Sequence, residues 1–95
     1  MKVIADFCLV PMGVGTSVSQ YIKACQPIFK KYGLKTNIHA YGTNLEGEWE
    51  PVFQAIHECH EKIHSMGAPR ISSTLKFGTR LDKDQTIDSK INAVL

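Results

Sequence analysis

The sequence is short of cysteine, of long apolar runs and of clustered charge, and each shortage removes a class of function. It has three cysteines, an odd number without CxxC spacing, which argues against a disulfide framework and for a reducing compartment. A cytoplasmic protein is therefore the default expectation. No apolar run exceeds a few residues, so no segment is expected to span a membrane. The opening Met1-Lys2-Val3-Ile4-Ala5-Asp6 reaches an acid too soon for a signal peptide. Lysines and arginines are scattered and leave a formal charge of only +2. Without a basic stripe interleaved with aromatics, no nucleic-acid partner is expected. Repeats, low-complexity tracts and linkers are also lacking. What remains, 43% apolar and 21% charged over 95 residues, suits one core and a single domain over 1–95.

Lys2–Pro11 alternates as a first strand. Val3, Ala5, Phe7 and Leu9 share one face; Ile4, Asp6, Cys8 and Val10 share the other. Both faces are largely apolar, which predicts a central strand covered on both sides. Ser17 followed by Gln20 reads as a capping box opening a helix to about Tyr32, with Val18, Ile22, Cys25, Phe29 and Tyr32 on one stripe. Pro27 is expected to kink it near Lys23. Gly33 suits the residue after its end.

A second strand follows over Lys35–Tyr41, with Thr36, Ile38 and Ala40 opposite Asn37, His39 and Tyr41. Gly42-Thr43-Asn44 is expected to turn the chain. Leu45-Glu46-Gly47 pairs back as a short third strand, Leu45 toward the core and Glu46 away. A second helix covers about Glu48–Met66, Pro51 lying in its first turn, with Trp49, Val52, Phe53, Ile56, Cys59 and Ile63 as its buried stripe. The fourth strand is Arg70–Thr79, with Ile71, Ser73, Leu75 and Phe77 facing the core and Ser72, Thr74 and Lys76 facing away. Ile87, Ile91, Val94 and Leu95 fit one face of a short last helix.

The order β-α-β-β-α-β plus a terminal helix is the split βαβ of α+β ferredoxin-like domains. Right-handed crossovers put both long helices on one face of a four-stranded antiparallel sheet of order 4-1-3-2. The other face carries a mixture of polar and apolar side chains, and a partner subunit is expected to cover it in part, leaving a polar pocket. Asp6, His39, Tyr41, Thr43, Glu46, Thr74 and Lys76 are the candidate lining. Together they suit a small flat ligand with ring nitrogens and an amino group, Glu46 accepting from the amino group and a hydroxyl answering a ring nitrogen. The plainer reading is a solvated sheet face with an Asp6–Lys76 ion pair.

Three other patterns carry weaker chemistry. His60-Glu61-Lys62-Ile63-His64 matches H-E-x-x-H, and His57, His60 and His64 lie along one border of the second helix. No third ligand follows downstream, and Ile63 marks this border as a core margin, so a chance match is the plainer reading and no metal site is assigned. Cys25 and Cys59 read as core fillers; Cys8 lies on the open face, where a catalytic thiolate would need Lys76 or His39 as its cation, and an inert thiol is the plainer reading. Gly13-Val14-Gly15-Thr16-Ser17 precedes a helix but lacks the lysine of a P-loop and the third glycine of a dinucleotide loop, so no cofactor is assigned.

Several stretches together resemble one family, the small thiamine-binding, YkoF-like proteins. They are Val10-Pro11-Met12-Gly13 with Ser17; Gly42-Thr43-Asn44-Leu45-Glu46-Gly47; Lys76-Phe77-Gly78-Thr79-Arg80 with Asp82-Lys83; and Gln85-Thr86 with Asp88, Lys90 and Ile91. Pro27 inside the first helix departs from the pattern. The resemblance implies a ferredoxin-like fold, dimers packed into a tetramer, and binding of thiamine or its pyrimidine portion without chemistry. Carried over by position, it favours Thr43 and Glu46 as contacts. Two other readings compete: a structural or regulatory oligomer without a ligand, and an enzyme using either His60, Glu61 and His64 with a metal or Cys8 as a thiol.

Overall fold

Strict alternation makes the central strand. In the computed structural model, which describes residues 1–95, β1 spans Lys2–Met12 and buries Val3, Ala5, Phe7 and Leu9. The other elements are α1 (Ser19–Lys31), β2 (Lys35–His39), β3 (Gly42–Glu48), α2 (Trp49–Ser65), β4 (Arg70–Gly78) and α3 (Ile87–Asn92). The sheet is antiparallel in the order β2-β3-β1-β4. This is the expected 4-1-3-2 read from the other edge, and the fold is the ferredoxin-like α+β sandwich. No helix is long and apolar enough to cross a membrane.

Both long helices pack on the face that carries Val3, Ala5, Phe7 and Leu9. The core gathers these with Tyr21, Cys25, Ile28 and Phe29 of α1, Leu45 of β3, and Val52, Ala55, Cys59 and Ile63 of α2. Cys25 and Cys59 meet between the helices, and the bond from Cys25 together with burial pushes the Cys59 thiol well up. At the rim of the same junction, Lys31 and Tyr32 of the α1 end both donate to Glu58 Oε1 at 2.8 Å. These two bonds, Lys31 first, hold Glu58 below the usual carboxylate range. The expected helix-side residues of β4 do face the helices, because Leu75 pairs with Phe7 and Phe77 with Ala5. They are only partly covered, since β4 is an edge strand. There Phe77 stacks edge-on against Trp49 and Phe53 at 5.5 and 5.3 Å.

Three local expectations are corrected. The capping box at Ser17 does not form; α1 begins after Val18, whose carbonyl accepts from Tyr21 and Ile22, and no side chain caps it. The β2–β3 turn is Ala40-Tyr41, closed by the His39–Gly42 pair, so Gly42-Thr43-Asn44 is strand. Gly42 is required there for closeness rather than for turning, because a Cβ would lie 2.8 Å from the Phe7 carbonyl oxygen. Finally, α3 buries Ile87 alone, while Val94 and Leu95 are 83% and 94% exposed. Its capping box is Thr86 with Ser89.

Candidate functional site

The face opposite α1 and α2 is not uniformly open. The segment after β4 folds back across it and, with α3, walls a basin of about 600 Å³. Its floor comes from alternate residues of three strands. Register sets Asp6 between Asn44 of β3 and Lys76 of β4, and Ile4 between Glu46 and Gly78. The far wall comes from residues 79–85 and Lys90 of α3.

A chain of hydrogen bonds crosses this floor. Asn37 Nδ2 donates to Asn44 Oδ1 at 3.2 Å, and Asn44 Nδ2 donates to Asp6 Oδ1 at 3.4 Å. The Tyr41 backbone N–H donates to His39 Nδ1 at 3.3 Å, so that nitrogen carries a lone pair and the proton sits on Nε2. His39 Nε2 then donates to the same Asp6 oxygen at 2.6 Å. Asp6 Oδ2 accepts no protein hydrogen bond. The expected Asp6–Lys76 ion pair is absent, although the two are cross-strand neighbours; Asp6 bonds His39 and Asn44.

Glu46 lies on the predicted face but is 8% exposed. Its Oε1 accepts from the Ile87 backbone N–H at 2.6 Å, and Lys2 Nζ stands 3.7 Å from Oε2. Lys2 also reaches Asp84 at 3.3 Å. Glu46 is thus the anchor of the overlying segment rather than a free acceptor in the basin. Thr43, which pairs with Phe7, faces the helix layer and is buried. The shifted turn causes this: once residue 43 is strand, it shares the face of Leu45. Tyr41 sits in the turn and is 87% exposed. Thr74, opposite Cys8, is exposed and lines neither hollow.

Thr43, His39 and Tyr41 instead border a second hollow. β1 pairs with β3 only as far as Phe7, yet continues to Met12. Beyond Phe7 its freed edge, the hairpin tip and α1 enclose an apolar cleft of about 200 Å³, which Cys8, Val10, Ile22 and Phe29 also line. The structure therefore divides the seven predicted residues. Asp6 and Lys76 line the basin; His39, Tyr41 and Thr43 line the cleft; the Asp6–His39 bond lies between. Sequence reasoning missed Lys2, Asn44, Arg80, Lys83 and Lys90 as basin residues. Parity alone places Asn44 beside Asp6, but the others depend on how the chain returns after β4.

The histidine border of α2 lies away from both hollows. His60 Nε2 pairs with Ser73 Oγ at 2.7 Å, His64 Nδ1–H donates to the Ala68 carbonyl oxygen at 2.8 Å, and the two rings are 6.4 Å apart. Burial, then the neighbouring His64 and His57, lowers the His60 pKa from the ordinary histidine value.

Comparison with known proteins shows the family and the fold. The chain is 55% identical over 94 residues to the UPF0045 protein sll0230 of Synechocystis, covering 99% of this chain and 78% of that one. The UPF0045 protein MJ1052 of Methanocaldococcus jannaschii is 40% identical over 98% of this chain and 92% of its own. The crystal structure of MJ1052 superposes with a TM-score of 0.91, over 98% of this chain and 95% of that one. A Thermotoga maritima protein provisionally described as a thiamine biosynthesis/salvage protein shares the fold, with a TM-score of 0.83 at 20% identity over 100% of both chains. The family model described as thiamine-binding protein matches residues 5–95, and the chain belongs to that family.

Proposed function

We propose that this chain binds thiamine or its hydroxymethylpyrimidine portion, without catalysing a reaction, in the open-face basin. The observation that carries the reading is the Asp6–Asn44 pair on the basin floor. Asp6 Oδ2 is unused by the protein, and its neighbour is an amide. A carboxylate beside an amide answers the exocyclic amino group and ring nitrogens of an aminopyrimidine. Membership of a thiamine-binding family supports the same ligand class. The volume falls in the range of small-molecule sites. No cysteine, serine or histidine lines the basin, which supports binding without chemistry. The free state of Cys8, Cys25 and Cys59 suits a cytoplasmic setting. Calorimetric titration with thiamine and with hydroxymethylpyrimidine is expected to give saturable heat for at least one. Asp6→Asn is expected to weaken it about tenfold, the worth of one hydrogen bond to a charged group. Absence of heat with either compound at millimolar concentration and folded protein removes the proposal.

We also infer that copies of the chain assemble with one another, as dimers or as dimers paired into a tetramer. Val10 and Met12 beyond the hairpin are 44% and 41% exposed. The nine-residue β4 is an edge with one side of its backbone ladder unpaired. Native mass spectrometry is expected to show an even-numbered assembly; a monomer alone at micromolar concentration rejects it. An oligomer that gives no heat with either compound favours a purely structural or regulatory role.

A further inference from the structure

The charge in the basin discriminates among forms of the ligand. Five cationic side chains line it against four carboxylates in its wall or bonded to it, Asp6, Asp84, Glu46 and Asp82. Two of the cations are already engaged: Lys2 with Glu46 and Asp84, and Arg80 with Asp82 through two bonds of 2.6 Å. Lys76 of β4, Lys83 of the returning segment and Lys90 of α3 make no ion pair. They come from three different elements, yet line one concavity. Lys76 stands in register with Asp6 but makes no ion pair with it; Asp6 bonds His39 and keeps its own charge in the basin. Three unpaired ammonium groups against the one unpaired carboxylate of Asp6 leave the hollow net positive, and a concave site focuses its field on whatever enters.

We infer that the basin takes the phosphate ester of its aminopyrimidine ligand in preference to the free alcohol or to the thiamine cation. The inference rests on the aminopyrimidine reading above. Thiamine carries a fixed positive charge on its thiazolium ring, which three unpaired ammonium groups repel. The neutral alcohol leaves those groups with water alone. A phosphate ester brings negative charge and three acceptor oxygens, and lysine is an established point-charge partner of phosphate. The basin then has two chemical ends: Asp6 and Asn44 for the amino-substituted ring, and Lys76, Lys83 and Lys90 for the phosphate.

The test is calorimetric titration of the full chain, at low ionic strength, with hydroxymethylpyrimidine, its phosphate ester, thiamine and inorganic phosphate. The ester is expected to bind at least about tenfold more tightly than the alcohol, one net charge-assisted hydrogen bond. The preference is expected to shrink as salt is raised. In the Lys83→Gln, Lys90→Gln double variant, both positions being exposed, the ester-to-alcohol ratio is expected to collapse toward one. Circular dichroism confirms that the variant is folded. If the alcohol or thiamine binds as tightly as the ester, the inference fails while the proposed function stands. If inorganic phosphate matches the ester, or the ratio survives the double substitution, the inference also fails. If no pyrimidine compound binds, both fail.

Discussion

Glu46→Ala is expected to cost the fold about 3 kcal/mol and to release α3 from the sheet. The carboxylate is nearly buried and accepts the Ile87 N–H at 2.6 Å, 41 residues along the chain. Removing it deletes a charged hydrogen bond and leaves a buried donor without a partner, each worth about 1–3 kcal/mol. Lys2 then loses one of its two carboxylates. Glu46→Gln keeps an acceptor oxygen and is expected to cost about half as much. Urea unfolding gives the stability change, and hydrogen exchange at the Ile87 amide tests the mechanism. An unchanged midpoint together with a still-protected Ile87 amide contradicts this role. Because α3 carries Lys90, its release is also expected to open the basin wall.

Phe29→Ala is expected to be the most damaging single truncation, at about 4 kcal/mol. Phe29 is 1% exposed and meets Phe7 edge-on, with ring centroids 6.2 Å apart and planes at 87°. The substitution removes the transfer energy of the ring, the aromatic contact and the packing of α1 on β1 together. A chain of this size has about 5–15 kcal/mol in total, so roughly a quarter or more of it is lost. The thermal midpoint is expected to fall by roughly 15–30 °C. Scanning calorimetry measures it, and a fall under about 5 °C, near 1 kcal/mol, contradicts the packing argument. Phe29 also lines the apolar cleft, so the cavity left behind joins an existing hollow and is less able to collapse.

The fold was legible because the β1 alternation is strict and right-handed crossovers leave one strand order. The hairpin turn was not. Gly-Thr-Asn has the residues turns favour, whereas Ala40-Tyr41 has none of them. Gly42 serves the close approach of the Phe7 carbonyl instead. Thr43 could have been placed correctly: it lies two residues before Leu45, which was already assigned to the core, and parity gives both the same face. Half of the candidate site follows from the same parity, since Asp6, Asn44 and Lys76 sit on one face in three adjacent strands. The other half does not. Glu46 is sealed by an amide 41 positions away, and Lys83 and Lys90 reach the basin through the path of a returning segment. No local pattern encodes such long-range contacts. The H-E-x-x-H match shows the converse: a local pattern was present, but His60 and His64 each bond a different neighbour.

The fifteen residues of the core all lie between positions 3 and 68, while the basin needs residues 76–90 and a bridge from Lys2 to Asp84. A chain emerging from the ribosome therefore carries this whole cluster before it carries the residues that wall the basin. The basin is therefore complete only when the last stretch of chain to be made docks on the sheet.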